Sequence, residues 1–220
     1  MAKKLYVVWL LITMLIFSSF SIYANPNSPS ETKADEEKES RTTAAVPKQE
    51  KLVTAMAEAK TAVDKRNEDY LNGLAAYICH VNGNVTQEEA AEMARYFVEY
   101  ADQYEVDEKI VMAIAQNEST YYKDAVSCED FKGLMQTGDG LARNAGYDPS
   151  QLFDPQVSIK VGARYLSIKM NEFGDLRLAL TAYNQGSGSV HSGNYSTGYA
   201  DLAIARAQTM ESFLQENGYI

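Results

Sequence analysis

Beyond about residue 50, apolar positions recur at three- and four-residue intervals, and no run of alternating apolar and polar residues is long enough to argue for a sheet. The pattern predicts an all-α domain. From Lys51 to Ile78, the residues Met56, Val63, Tyr70, Leu74, Tyr77 and Ile78 stand at near-helical spacings and predict one long amphipathic helix, with Asn72 and Gly73 as a candidate break. Thr86 and Glu89 form a capping-box pair ahead of a helix that runs to about Tyr104, and Asp107 caps the next, which ends near Glu118. Asp154 and Pro155 supply an N-cap and a first helical residue for a helix that continues to about Phe173, where Gly174 stops it. Asp175 then caps a helix to Tyr183, and a last helix covers about Tyr199 to Gln215. No internal repeat is evident.

The first fifty residues depart from this pattern. Lys3 and Lys4 precede an apolar stretch from Leu5 to Phe17, and Ser18, Ser19 and Ser21 lead to Ala24, the order of a secretory signal peptide cleaved after Ala24. An uncleaved anchor is the alternative, because on a looser count the apolar block extends to Tyr23. Residues 25–50 crowd Pro, Ser, Thr and charges together without a large apolar residue, so a disordered tether is expected. The expected organisation is therefore a signal peptide over 1–24, a tether over 25–50, the domain's first helices over 51–105, and its core with the C-terminal helix over 106–220. Either form of the leader places the domain outside the cytoplasm, in the periplasm or at the cell wall.

Composition narrows the partners. Cleavage after Ala24 removes two lysines and no acid, which takes the formal net charge from -10 to -12 and makes nucleic acid a poor partner. Cys79 and Cys128 are the two cysteines, and in an oxidising compartment a bridge between them is expected, with two unpaired thiols or a bond to a partner as the alternative. Cys79, His80, Cys128 and His191 do not make a zinc set, since an adjacent Cys-His and long gaps match no usual spacing. No metal is expected.

The candidate chemistry begins at the end of the Asp107-capped helix. Val111, Ile114, Ala115 and Glu118 fall at i, i+3, i+4 and i+7, which puts a carboxyl on the apolar stripe. Partial burial and the negative end of the helix dipole both disfavour the charged form there, and a carboxyl so placed can act as a general acid. Taken alone, Glu118 is equally a glutamate at a frayed helix end that turns to water.

The residues beyond Glu118 change that balance. Gly133-Leu134-Met135-Gln136 comes 15 residues later, and Ala182-Tyr183-Asn184-Gln185-Gly186 closes the central part of the domain. Together with Glu118-Ser119 and Ser127, these elements resemble the soluble lytic transglycosylase (SLT) family, whose fold is goose-lysozyme-like, over about Val106 to Val190. The resemblance implies that Glu118 protonates the glycosidic oxygen between N-acetylmuramic acid and N-acetylglucosamine in peptidoglycan strands. It also implies that the same group then takes a proton from the muramyl C6 hydroxyl as a 1,6-anhydro ring closes. Such chemistry needs one carboxyl rather than the pair used by ordinary glycosidases, and no cofactor.

Further roles come from the same resemblance. Tyr183 is expected to set its hydroxyl close to Glu118, while Ser127 and Gln136 line the cleft and hold acetamido or hydroxyl groups. Asn184 is grouped with these substrate-binding residues and, with Gly186, shapes the turn after Tyr183. Ser119, Gly133, Leu134 and Met135 are structural at the site, with Met135 in the core beneath the cleft. Cys128 is a candidate pin to the Cys79 helix. One segment departs from the family: Thr137-Gly138-Asp139-Gly140 stands where two apolar residues and a proline usually come, so an apolar contact is lost at Gly138. Asp124, Asp130 and Asp139 are expected to be solvated loop acids. The expected partner is the glycan strand, met by a monomer. A hydrolytic muramidase, which one of those acids would support, and a non-catalytic glycan-binding or assembly protein are the alternatives.

Overall fold

Short polar side chains and a few glycines set where the helices begin and end. The computed structural model describes residues 46–220, so the expected signal peptide and residues 25–45 of the expected tether lie outside the described residues. Helix α1 (Val46–Val81) opens within the last residues assigned to the tether and runs without a break through Asn72 and Gly73. Gly73 has a packing role. A Cβ there would lie 2.6 Å from both Leu214 Cδ2 and Tyr219 Cγ, so its bare backbone lets the C-terminal segment come close.

The remaining caps behave as the sequence predicts. Helix α2 (Gln87–Gln103) opens on a reciprocal box: Thr86 Oγ1 accepts from Glu89 N at 3.2 Å, and Glu89 Oε2 accepts from Thr86 N at 3.2 Å. In α3 (Glu108–Glu118), Asp107 Oδ1 accepts from Lys109 N at 2.9 Å and Ile110 N at 3.2 Å. Two short pieces come next that periodicity does not reveal, α4 (Asp139–Asn144) and a 3-10 turn over Pro149–Phe153. Asp154 then caps α5 (Pro155–Phe173), and left-handed Gly174, with φ 65°, closes it. Asp175 caps α6 (Leu176–Gln185), after which come the short α7 (Ser187–His191) and α8 (Gly198–Glu216).

Helix α3 is the axis of the packing. Val111, Met112, Ala113, Ile114 and Ala115 are all at zero exposure, so the single apolar stripe read from the sequence is a helix buried all round. It packs against α2, α5 and α8. Around it lie Leu74, Tyr77 and Ile78 of α1, Phe97 of α2, Leu134 and Met135 of the loop after it, and Met210 of α8. No strand occurs among the described residues, where isolated antiparallel bridges join Val126 to Lys132 and Lys132 to Thr137. None of their helices is long and apolar enough to cross a membrane.

The expected bridge between the cysteines is not formed. Both thiols are free: Cys79 Sγ sits 3.6 Å from the Val85 carbonyl and 3.6 Å from Gln87 Oε1, while Cys128 is exposed on the loop after α3. The short turn between α1 and α2 folds over Cys79 and faces its thiol into its own hairpin, so the two side chains do not meet. His80 stacks on Phe213 with ring centroids 5.2 Å apart, and His191 Nε2 pairs with Glu172 at 2.9 Å. Denatured protein recovered without reductant is accordingly expected to take up two thiol-specific alkyl labels in a mass measurement; uptake only after reduction contradicts this arrangement.

Candidate active site

Glu118 is the last residue of α3, and Ser119 ties that helix end to the loop beyond it. The Ser119 hydroxyl lies 3.1 Å from the Ala115 carbonyl and 2.9 Å from the Leu134 carbonyl, bridging α3 and the Gly133–Gln136 element. Thr120 and Tyr121 adopt left-handed backbone, with φ 51° and 60°, and turn the chain away from the helix axis. The fully buried Tyr121 ring then anchors the turn edge-on against Phe97 at 6.2 Å.

Gly133 cannot be any other residue. Its φ is 73°, and a Cβ would sit 1.8 Å from the Leu152 carbonyl oxygen and 2.8 Å from Ser158 Oγ. This close approach carries Leu134 and Met135 into the core at zero exposure, where Met135 N donates to Ser158 Oγ at 3.1 Å. Gln136, left-handed with φ 44°, uses its side-chain amide to fasten the loop: Nε2 donates to the carbonyls of Ala125 at 3.0 Å and Gly133 at 2.9 Å. That commitment leaves only its amide oxygen for a ligand. Ser127 is likewise turned inward to the loop, its Oγ accepting from Glu129 N at 3.2 Å and Phe131 N at 3.1 Å.

The tyrosine hydroxyl on Glu118 is not that of Tyr183. Tyr183 is buried, packs on Tyr165 with centroids 5.0 Å apart, and donates to the Met135 carbonyl at 3.1 Å. Tyr199, near the start of α8, donates to Glu118 Oε1 at 2.6 Å. Tyr183 still lies close enough for the Glu118 charge to act on its phenol, but its own bond goes to the Gly133–Gln136 element, whereas α8 brings Tyr199 into hydrogen-bond contact with the end of α3. The recognised motifs stop before Tyr199. The one signal near it is the run Ala200, Ala203 and Ala207, which marks the buried side of α8. Gln185 delivers that segment: Nε2 donates to the Ser196 carbonyl at 2.6 Å, and Oε1 accepts from Ser196 N at 3.1 Å. Asn184 is exposed and helical, so only Gly186, with φ 79°, supplies the left-handed turn expected of both.

Burial pushes the Glu118 carboxyl above its ordinary value, and the hydrogen bond from Tyr199 opposes that rise by favouring the ionised form. Burial and the Glu118 charge push the Tyr199 phenol up, and burial with the same charge raises Tyr183, so both hydroxyls remain donors. The nearby acids are occupied elsewhere or exposed. Lys132 Nζ bonds Asp130 Oδ2 and Asp139 Oδ1 at 2.8 Å each, Arg143 Nη2 reaches Asp139 Oδ2 at 3.1 Å, and Asp124 lies at the surface. Among the described residues, no group of three His, Cys, Asp or Glu side chains is arranged to hold a metal ion.

Residues 95–202 match the family model described as the Transglycosylase SLT domain. The membrane-bound lytic murein transglycosylase C of Edwardsiella ictaluri is 37% identical, over 41% of this chain and 30% of that protein. The soluble lytic murein transglycosylase of Escherichia coli K12 is 34% identical, over 56% of this chain and 20% of that protein. In structure, the 70 kDa soluble lytic transglycosylase SLT70 of Escherichia coli aligns with a TM-score of 0.53 at 24% identity, over 64% of this chain and 30% of that one, a likeness of fold. The chain thus spans 20 to 30% of the length of these curated relatives.

Because the folded protein holds the Glu118 proton to higher pH than the unfolded chain does, this group's contribution to stability is present at acid pH and is lost as pH rises through the raised folded value. Glu118→Gln is therefore expected to raise Tm at neutral pH, with the gain vanishing below about pH 4, where wild type is protonated in both states. A thermal melt across pH reads this directly; a substitution that lowers Tm at neutral pH contradicts it.

Proposed function

We propose, from the match of residues 95–202 to the family model described as the Transglycosylase SLT domain, that the chain belongs to that family and that the protein is a lytic transglycosylase. Its substrate is the β-1,4 bond between N-acetylmuramic acid and N-acetylglucosamine in peptidoglycan strands, and it leaves 1,6-anhydromuramic ends. The observation that carries this reading is Glu118, half out of water at the end of α3, with the Tyr199 hydroxyl 2.6 Å from Oε1. That contact occupies one carboxyl oxygen and leaves Oε2 to carry the acid proton.

In the proposed sequence, Glu118 gives its proton to the bridging oxygen as the C1–O bond breaks, and N-acetylglucosamine departs with a free hydroxyl. The muramyl C6 oxygen bonds to C1, and its proton passes to the Glu118 carboxylate, which regenerates the acid. Tyr199 stabilises the carboxylate between these two transfers. An intramolecular nucleophile requires no second carboxylate to activate water. The engagement of Asp130 and Asp139 by Lys132 is in keeping with that economy. Both proton transfers use one side chain, so the reading includes neither metal nor cofactor. It extends to an exported monomer working in the periplasm or at the cell wall.

Incubation with purified sacculi is expected to release anhydro-muropeptides seen by mass spectrometry, and Glu118→Gln is expected to slow release by about 10²- to 10⁴-fold, the usual contribution of a positioned acid–base group. Reducing-end products would instead identify a muramidase, and sacculus binding without turnover in either form would identify a non-catalytic protein. Tyr199→Phe removes a bond to the ionised carboxylate, so it is expected to raise the Glu118 pKa further. The alkaline limb of the kcat/KM profile should then move to higher pH as the maximum rate falls. An unmoved limb would separate Tyr199 from the acid.

A further inference from the structure

The loop between α3 and α4 carries an aromatic ring in an unusual setting. Lys132 N donates to the Thr137 carbonyl at 3.2 Å, and Thr137 N donates to the Lys132 carbonyl at 3.3 Å, so Phe131 and Gly138 are the next residues outward on facing segments. The Phe131 ring lies against Gly138: a Cβ there would stand 3.2 Å from Phe131 Cε1 and 3.4 Å from Cδ1. Gly138 has φ -87° and ψ 162°, extended backbone open to any residue, so no turn demands a glycine at this position. The ring favours it, since a side chain there would push the ring aside by a few tenths of an ångström. With one side on Gly138, the side chain nevertheless leaves the residue 39% exposed, and Tyr122 and Val126 of the same loop are more exposed still.

The loop spends its polar groups on holding that ring. Ser127 Oγ accepts from Phe131 N at 3.1 Å, and Ser127 N donates to the Phe131 carbonyl at 3.0 Å. Gln136 and Ser119 fasten the same loop to itself and to the end of α3 beside Glu118. A side chain left partly in water on a braced loop loses apolar burial without gaining packing in return. The charges around it, Lys132 with Asp130 and Asp139, and Arg143 with Asp139, form a polar rim. A flat apolar face with a ring of hydrogen-bonding groups suits a pyranose, whose equatorial substituents leave an apolar C–H face and a polar edge.

We propose that Phe131, seated on Gly138, is a sugar-stacking platform that binds one pyranose of the glycan strand at a subsite flanking Glu118 and so helps to set substrate affinity. This inference rests on the glycan-cleaving reading above. It makes Phe131 a binding residue and gives it no part in proton transfer.

The test compares wild type with Phe131→Leu, Phe131→Trp and the exchange Phe131→Ala/Gly138→Met. Leucine keeps apolar volume over Gly138 but loses the flat face, so it is expected to raise KM on sacculi about tenfold, the effect of losing a modest apolar contact, with kcat and Tm nearly unchanged. Tryptophan should retain wild-type KM. The exchange variant, whose extended backbone at position 138 admits a side chain once the ring is gone, restores apolar volume without a flat face and should share the leucine variant's loss. A wild-type KM in Phe131→Leu, or equal losses in the leucine and tryptophan variants, overturns the proposal. Calorimetric titration with a soluble N-acetylglucosamine tetramer separates the two readings: turnover that requires Glu118 without a Phe131 effect on affinity sinks the platform alone. Binding that weakens in Phe131→Leu with no turnover in any form sinks the cleavage reading and leaves the platform standing.

Discussion

A carboxyl whose proton affinity is to be raised has to lose water without gaining a cation, and this one constraint organises the molecule. Glu118 meets it by standing at the end of a helix whose middle is enclosed on every side, so its backbone is rigid and its side chain emerges only where the helix stops. Burial raises the proton affinity, while the single hydrogen bond from Tyr199 keeps the ionised form accessible. Neither influence alone would suit the proposed role, in which the group gives a proton and then takes one back. The acid needs poor hydration and the base needs a partner for its charge.

This arrangement has a thermodynamic cost to the fold. A half-buried carboxyl favours its neutral form in the native state, so at neutral pH it opposes folding, and the surrounding packing offsets it. The compensation is visible beside it: Leu134 and Met135 are drawn fully into the core directly after Gly133, and Tyr121 packs against Phe97 in the turn that leaves the helix. Gly133 is the hinge of that compensation, because only a residue without a side chain can pass the Leu152 carbonyl.

Polar residues expected to meet substrate prove to be largely engaged in shaping the protein. The nitrogen of Gln136 and the hydroxyl of Ser127, both expected to meet substrate, bond to or accept from the chain itself, as does the hydroxyl of the structural Ser119, so the loop is a braced surface rather than a row of free donors. Buried or half-buried loop amides and carbonyls need partners wherever water is scarce, and these side chains provide them. The aromatic ring of Phe131 is what that bracing leaves facing outward.

Local rules were legible in the sequence because they act within a turn or two of helix. Thr86, Asp107, Asp154 and Asp175 cap the helices they precede, Gly174 ends the one before it, and the three-four spacing before Glu118 places a carboxyl at the edge of the core. The ordered motifs from Glu118 to Gly186 carried the resemblance for the same reason, since each is a short stretch whose backbone needs particular residue types, and they lie within the residues that match the family model. What the tertiary structure alone decided was which side chains from distant segments meet. Tyr199 hydrogen-bonds Glu118 across 81 positions while Tyr183 bonds the Met135 carbonyl, the thiols of Cys79 and Cys128 stay apart, and Phe131 settles on Gly138. Such meetings depend on how helices cross and how far one slides along another, and those quantities come from the packing of the whole core, which no window of neighbouring residues contains.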